Sequence, residues 1–136
     1  MTISFDQAEE VFRSQPFSQY LGAELTEAGA DGVVLTLAIA DHHEQQHGYV
    51  HGGVISYLTD NALTFAGGLA LGADALTSEF KLNFLRPAKG SRLEARAWAK
   101  GVGNRQAVCV CEVHSIDGAQ ETLCGLAQGT IIALTR

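Results

Sequence analysis

Residues 48–69 read GYVHGGVISYLTDNALTFAGGL. Within them Val54, Leu58, Ala62, Phe65 and Leu69 recur every three or four positions, the apolar stripe of a helix that buries one face. The stripe needs about five turns at about 3.6 residues each. Gly67, Gly68 and Gly72 are expected to fray or end it. Immediately upstream, residues 41–51 (DHHEQQHGYVH) are polar, His-rich and without clean periodicity, and read as a loop.

On either side of this helix the pattern changes to short elements. Ser4-Phe5-Asp6-Gln7 matches a capping box that opens a short helix, with Phe5, Ala8 and Phe12 at helical spacing and Pro16 expected to end it. Gly22 to Thr26 and Val33 to Ile39 flank Gly29-Ala30-Asp31-Gly32, which suggests a hairpin. After the long helix, β-like runs cover residues 76–85, 92–100, 106–114 and 122–134, separated by the turn signals Gly103-Asn104 and Asp117-Gly118. Consecutive strands with short turns favour antiparallel pairing. The expected fold class is therefore α+β, one long helix lying on an antiparallel sheet.

The chain has 136 residues, 46% hydrophobic and 18% charged. That length suits a single domain over residues 1–136, because two separate cores need more chain. So few charges suggest that some surface is hidden in an oligomer. A net charge of −6 argues against nucleic acid as a partner, which calls for a basic footprint. The opening MTISFDQAEE does not read as a signal peptide, and the apolar run 62–76 is too short and interrupted to span a bilayer. Cys109, Cys111 and Cys124 form no CxxC pair and read as free buried thiols of a reducing cytoplasm.

Chemistry concentrates at the start of the long helix. Its first backbone N–H groups lack internal partners and lie at the positive dipole end, so Gly52 and Gly53 could receive a carbonyl oxygen or oxyanion. Equally, the glycines could simply relieve crowding there. Asp60 falls inside the helix, where Asp is a poor helix former and a buried acid needs a partner or a task. A helical wheel places Ser56, Asp60, Thr64 and Gly67 on one small polar face; the alternative is a solvent-facing carboxylate. His42, His43, His47 and His51 share spacings of four that could hold a metal on a helix. Gly48 and Gly52 interrupt such a helix, so a solvated loop is the favoured reading and no metal is expected. No GxSxG, P-loop or GxGxxG motif is present.

The run His51-Gly52-Gly53, then Leu58 and Asp60-Asn61-Ala62, followed by Asn83-Phe84-Leu85-Arg86-Pro87-Ala88, resembles the hotdog-fold acyl-CoA thioesterases, closest to their phenylacetyl-CoA thioesterase branch. The resemblance covers about residues 17–133. It implies a long central helix wrapped by an antiparallel sheet, active sites at a dimer interface, and dimers assembled into a homotetramer. It implies an acyl-CoA substrate, hydrolysed without a cofactor. Gly52 would present its N–H to the thioester carbonyl, and Asp60 of the facing subunit would act as general base or nucleophile. Thr77 would help place the water, and His51 would order the loop. Gln45 stands where the family usually has Asn; the amide is the same on a longer stem, which could shift the loop or the acyl pocket.

Gly53, Tyr57, Glu79 and Arg86 complete the candidate substrate contacts, with Glu79 expected on the same strand face as Thr77. Tyr57, Leu58, Phe65 and Leu82 are expected to line the acyl pocket. Arg86, Lys89, Arg92 and Arg105 are the cations available for the CoA phosphates. Two other readings remain: a non-catalytic acyl-CoA-binding module, and a hotdog hydratase, which generally needs an Asp–His or His–Glu pair that is absent around Asp60.

Overall fold

The apolar stripe folds as one uninterrupted helix, α3 (Gly52–Leu71), in a computed structural model that describes residues 2–134. Val54, Ile55, Leu58, Ala62, Leu63 and Ala66 of α3 are buried. Fully burying an aliphatic side chain contributes about 1.5–3 kcal/mol, so this face alone anchors the helix. Gly72 ends α3 in the left-handed region at φ 66°, a conformation that glycine adopts without a Cβ penalty. Gly67 and Gly68 do not fray the helix as the sequence suggested. Gly67 is instead a contact point: a methyl group there would lie 2.5 Å from Ile131 Cβ.

Two short helices precede the sheet. α1 (Phe5–Arg13) starts at the Ser4 capping box, with the Gln7 N–H donating to Ser4 Oγ and Gln7 Oε1 accepting from the Ser4 N–H. The first helix stops short of Pro16, as the sequence suggests, but Pro16 also opens a second one. It occupies the first turn of α2 (Pro16–Leu21), where its fixed φ fits and its missing N–H costs nothing.

The strands are β1 (Ala23–Gly29), β2 (Gly32–Ala38), β3 (Ala75–Phe84), β4 (Arg92–Val102), β5 (Gln106–Asp117) and β6 (Gln120–Ala133). They form one six-stranded antiparallel sheet in the order β1-β2-β4-β5-β6-β3. Alternate residues face α3. Val33, Leu35 and Leu37 on β2, Leu93, Ala95 and Ala97 on β4, and Ala107, Cys109, Cys111 and Val113 on β5 are all buried. The three cysteines are free thiols in this layer, and burial pushes them up to about 11 (Cys109, Cys124) and 12 (Cys111).

Local turn signals identify the strands but not their neighbours. β3 follows α3 in the chain, yet it docks at the far edge beside β6. Its outer edge has no partner strand among the described residues, and Leu76 and Phe84 at its two ends are exposed.

Candidate active site

Asp60 lies half-buried on α3, facing β3. Thr77 on β3 donates its hydroxyl proton to Asp60 Oδ1 at 2.5 Å. Thr64, one helical turn beyond Asp60, touches the Thr77 hydroxyl and donates to the Asp60 carbonyl oxygen at 2.7 Å. The carboxylate is thus held through one oxygen, beside a pocket of about 600 Å³ lined by Phe17, Tyr57, Asp60, Thr64, Leu76 and Thr77. Leu76 and the Phe17 ring make the wall apolar, and Phe17 meets Tyr57 edge to face at 5.3 Å.

Behind Tyr57 is a closed polar network that ties α2 to α3. The Tyr57 hydroxyl donates to Ser18 Oγ at 2.5 Å, and Ser18 Oγ donates to Gln15 Oε1 at 2.6 Å. Asn61 Nδ2 donates to Gln15 Oε1 at 2.9 Å and reaches both hydroxyls at 3.2 Å. Burial raises the Tyr57 phenol above its ordinary value, against the opposing hydrogen bonds of Ser18 and Asn61. The sequence reading missed this network. Asn61 is legible from its i+4 spacing to Tyr57, but nothing local links Gln15 and Ser18 to residues more than forty positions away.

The start of α3 is arranged differently. His51 caps the helix, its Nδ1 accepting from the Gly53 N–H at 2.8 Å. That occupies the Gly53 donor and leaves the Gly52 N–H without an acceptor among the described residues. The Phe84 ring lies against Gly52, 3.3 Å from where a side-chain carbon would sit. Gln45 is in the preceding loop, its Oε1 accepting from the His47 N–H at 2.5 Å and its own N–H donating to the Tyr49 carbonyl at 2.8 Å.

Of the clustered histidines, His43 is not solvated. It is buried, with Nδ1 accepting from the Ala40 N–H at 3.0 Å, so Nε2 carries the proton donated to the Leu21 carbonyl at 2.8 Å. Two of the four clustered imidazoles are therefore committed to backbone.

Three expectations need correction. A β-bulge between Thr77 and Glu79 shifts the register against β6, so Thr77 faces Asp60 while Glu79 emerges on the opposite sheet face and accepts from Thr130 Oγ1 at 2.5 Å. Leu58 is fully buried in the core, and Phe65 packs on Phe12 at 5.7 Å; neither lines the Asp60 pocket. Arg92 is not a free cation, since it pairs with Glu94 at 3.0 Å. Arg86, by contrast, is exposed in the loop after β3.

Gly52 and Asp60 are eight residues apart on one straight helix, about 12 Å at about 1.5 Å per residue. Within one chain the two cannot meet at a single carbonyl.

The sequence model described as the thioesterase superfamily matches residues 47–122, the span from the loop before α3 into β6. An esterase-named protein of Deinococcus radiodurans is 32% identical over 116 residues, covering 85% of this chain and 77% of that protein. Among solved structures, a thioesterase family protein from Silicibacter pomeroyi superimposes with a TM-score of 0.86 at 30% identity, covering 93% of this chain and 95% of its own. The phenylacetic acid degradation protein PaaI from Thermus thermophilus gives 0.76 at 26% identity, over 88% of this chain and 100% of its own.

Proposed function

The chain belongs to the thioesterase superfamily, with the hotdog fold, and is a thioester hydrolase; from that premise we propose that it cleaves acyl-CoA to a carboxylic acid and CoA at sites shared between two copies. The observation that carries this reading is the separation of Gly52 from Asp60 on α3, together with the open edge of β3.

If two copies pair β3 antiparallel about a two-fold axis near the strand's middle, residue 77 lies opposite residue 82, and residue 75 opposite residue 84. Thr77 touches Asp60 and Phe84 touches Gly52. Edge pairing therefore brings the Asp60 of one copy beside the helix start of the other, twice by symmetry. It also covers a long edge with apolar ends, which would otherwise invite non-specific pairing. A homodimer is thus the minimal catalytic unit, and its further assembly into a homotetramer is in keeping with the low charge content.

In each site the Gly52 N–H, at the positive end of α3, polarises the thioester carbonyl. Asp60, with Oδ1 fixed by Thr77, takes a proton from water through its other oxygen. The hydroxide formed attacks the carbonyl carbon. The tetrahedral oxyanion is held by the Gly52 N–H until it collapses, the C–S bond breaks and the proton passes to the departing sulfur. Gln45 lies in the adjoining loop and supplies a second donor once its amide turns from His47. No cofactor takes part.

The Phe17 and Tyr57 rings at the pocket support an aryl-acyl group over a long fatty chain, in line with the likeness to a phenylacetic acid degradation protein. No described helix is long and apolar enough to cross a membrane, and the free thiols fit a cytoplasmic enzyme. The decisive experiment is thiol release from a panel of aryl- and fatty-acyl-CoAs with wild type and Asp60→Asn. Turnover lost by about 10²–10⁴-fold in the variant is expected; an unaffected variant overturns the mechanism.

A further inference from the structure

We infer that His43, a buried residue outside the proposed chemistry, is a positioning residue: its ring is the strut that fixes the Gly52 N–H and the Gln45 amide relative to the body of α3. This inference rests on the acyl-CoA reading above, in which the Gly52 N–H holds the thioester carbonyl. His43 ends a single turn of 3-10 helix (Asp41–His43) and is 2% exposed, so each polar atom of its ring needs a partner inside the fold.

Both ring nitrogens are spent on backbone. Nδ1 accepts from the Ala40 N–H at 3.0 Å, and Nε2 donates to the Leu21 carbonyl at 2.8 Å. Leu21 is the last residue of α2. That helix is itself locked to α3 through Gln15, Ser18, Tyr57 and Asn61. The ring therefore bears on a point that is fixed with respect to α3.

The main chain of His43 delivers that position to the site. Its carbonyl accepts from the His51 N–H at 2.8 Å, Glu44 pairs with Val50 in a β-bridge, and the Gln45 N–H donates to the Tyr49 carbonyl at 2.8 Å. Residues 43–51 thus form a small hairpin with His43 and His51 at its base. His51 caps α3 through the Gly53 N–H and immediately precedes Gly52. A shift of His43 moves the proposed carbonyl donor and the Gln45 amide together. Asp60 and Thr77 lie outside this hairpin, on α3 and β3. The strut belongs to the carbonyl half of the site and not to the acid half. Misplacement by an ångström, remote from the chemistry, can cost about 10²-fold in rate.

Two amide replacements test the strut. His43→Gln is long enough to donate to the Leu21 carbonyl and should keep kcat for acyl-CoA within about threefold of wild type. His43→Asn can meet Ala40 but falls short of Leu21; kcat should drop at least about tenfold, with KM changed less than about twofold. Equal kcat in the two variants, both folded by circular dichroism, overturns the inference. Wild type gives a check that needs no variant: ring 15N shifts should place the His43 proton on Nε2, and a proton on Nδ1 overturns the bond to Leu21.

Subunit exchange then assigns the half-site. His43→Asn mixed with Asp60→Asn should recover about a quarter of wild-type activity, because half of random dimers carry one intact site. Mixed with Gly52→Pro, which deletes the carbonyl-binding N–H, it should gain nothing. The reverse pattern places His43 with the acid and overturns this inference while the function stands. If Asp60→Asn and Gly52→Pro do not restore each other, the shared-site reading itself falls and this inference with it.

Discussion

Thr77 on β3 donates its hydroxyl proton to Asp60 on α3 across 2.5 Å, joining the edge strand to the only acid in the interior of the long helix. The bond orients the carboxylate and spends one of its oxygens. Thr77→Ser keeps the donor and should retain most activity. Thr77→Val removes it at nearly constant volume, and kcat should fall about tenfold to a hundredfold, the worth of a hydrogen bond to a charged group. Equal kcat in the two variants would refute the positioning role.

The cross-subunit site makes a sharper prediction. Gly52→Pro deletes the N–H proposed to bind the carbonyl, yet proline suits the first helical turn, and His51 already has the extended conformation (ψ 135°) that a following proline requires. Helicity by circular dichroism should persist while kcat drops about 10²–10³-fold. Subunits of Gly52→Pro and Asp60→Asn, each nearly inactive alone, should on mixing and exchange recover about a quarter of wild-type activity, because half of random dimers carry one intact site. No recovery, with heterodimers shown by native mass spectrometry, would place the site within one chain.

Adjacent glycines on α3 should respond unequally. Gly67→Ala drives a methyl group to 2.5 Å from Ile131 Cβ and should destabilise by about 1–3 kcal/mol in urea unfolding. At Gly68 the nearest atom, the Ala73 carbonyl oxygen, is 3.2 Å away. There the helix-propensity gain of about 1 kcal/mol offsets the crowding, and Gly68→Ala should be near neutral.

Loss of the α2 anchor should appear as lost stability. Ser18 is fully buried and pairs with Tyr57, Gln15 and Asn61. Ser18→Ala leaves those groups short of a partner and should cost about 1–3 kcal/mol in denaturant unfolding.

The thiols set an alkaline limit. Cys109, Cys111 and Cys124 are neutral in the fold, with values raised from 9.0 to about 11, 12 and 11. The native state therefore holds protons that the unfolded chain releases, and stability falls as pH rises from about 9 through about 11–12. By about pH 10 the loss should reach roughly 1 kcal/mol for each thiol. Thermal melts across this range should show it, and Cys111→Ala should flatten the slope.

Much of this was legible along the chain, for local reasons. Periodicity at Val54, Leu58, Ala62, Phe65 and Leu69 marks α3, and alternation marks β2, β4 and β5, because both patterns are imposed by geometry within one element. The capping box at Ser4 and Gln7 is likewise a matter of neighbours. Asp60 stood out because an acid amid apolar residues on a helix must answer for its burial. Glu79 was misplaced because a bulge is a decision of strand pairing: the extra residue is accommodated only when β3 meets β6, and it reverses which residues face inward.

The sequence by itself determined the elements, the class of fold and the acid most in need of a purpose. These depend on spacings of two to four residues, which secondary structure converts directly into faces. Only the tertiary structure decided that β3 leaves its neighbour in sequence to form the edge beside β6, that Thr77 reaches Asp60 while Glu79 turns away, and that Gly52 and Asp60 lie too far apart on one rigid helix to share a substrate. Each depends on contacts between segments distant in the chain, whose closure is set by the packing of the whole sheet against α3 rather than by any local preference.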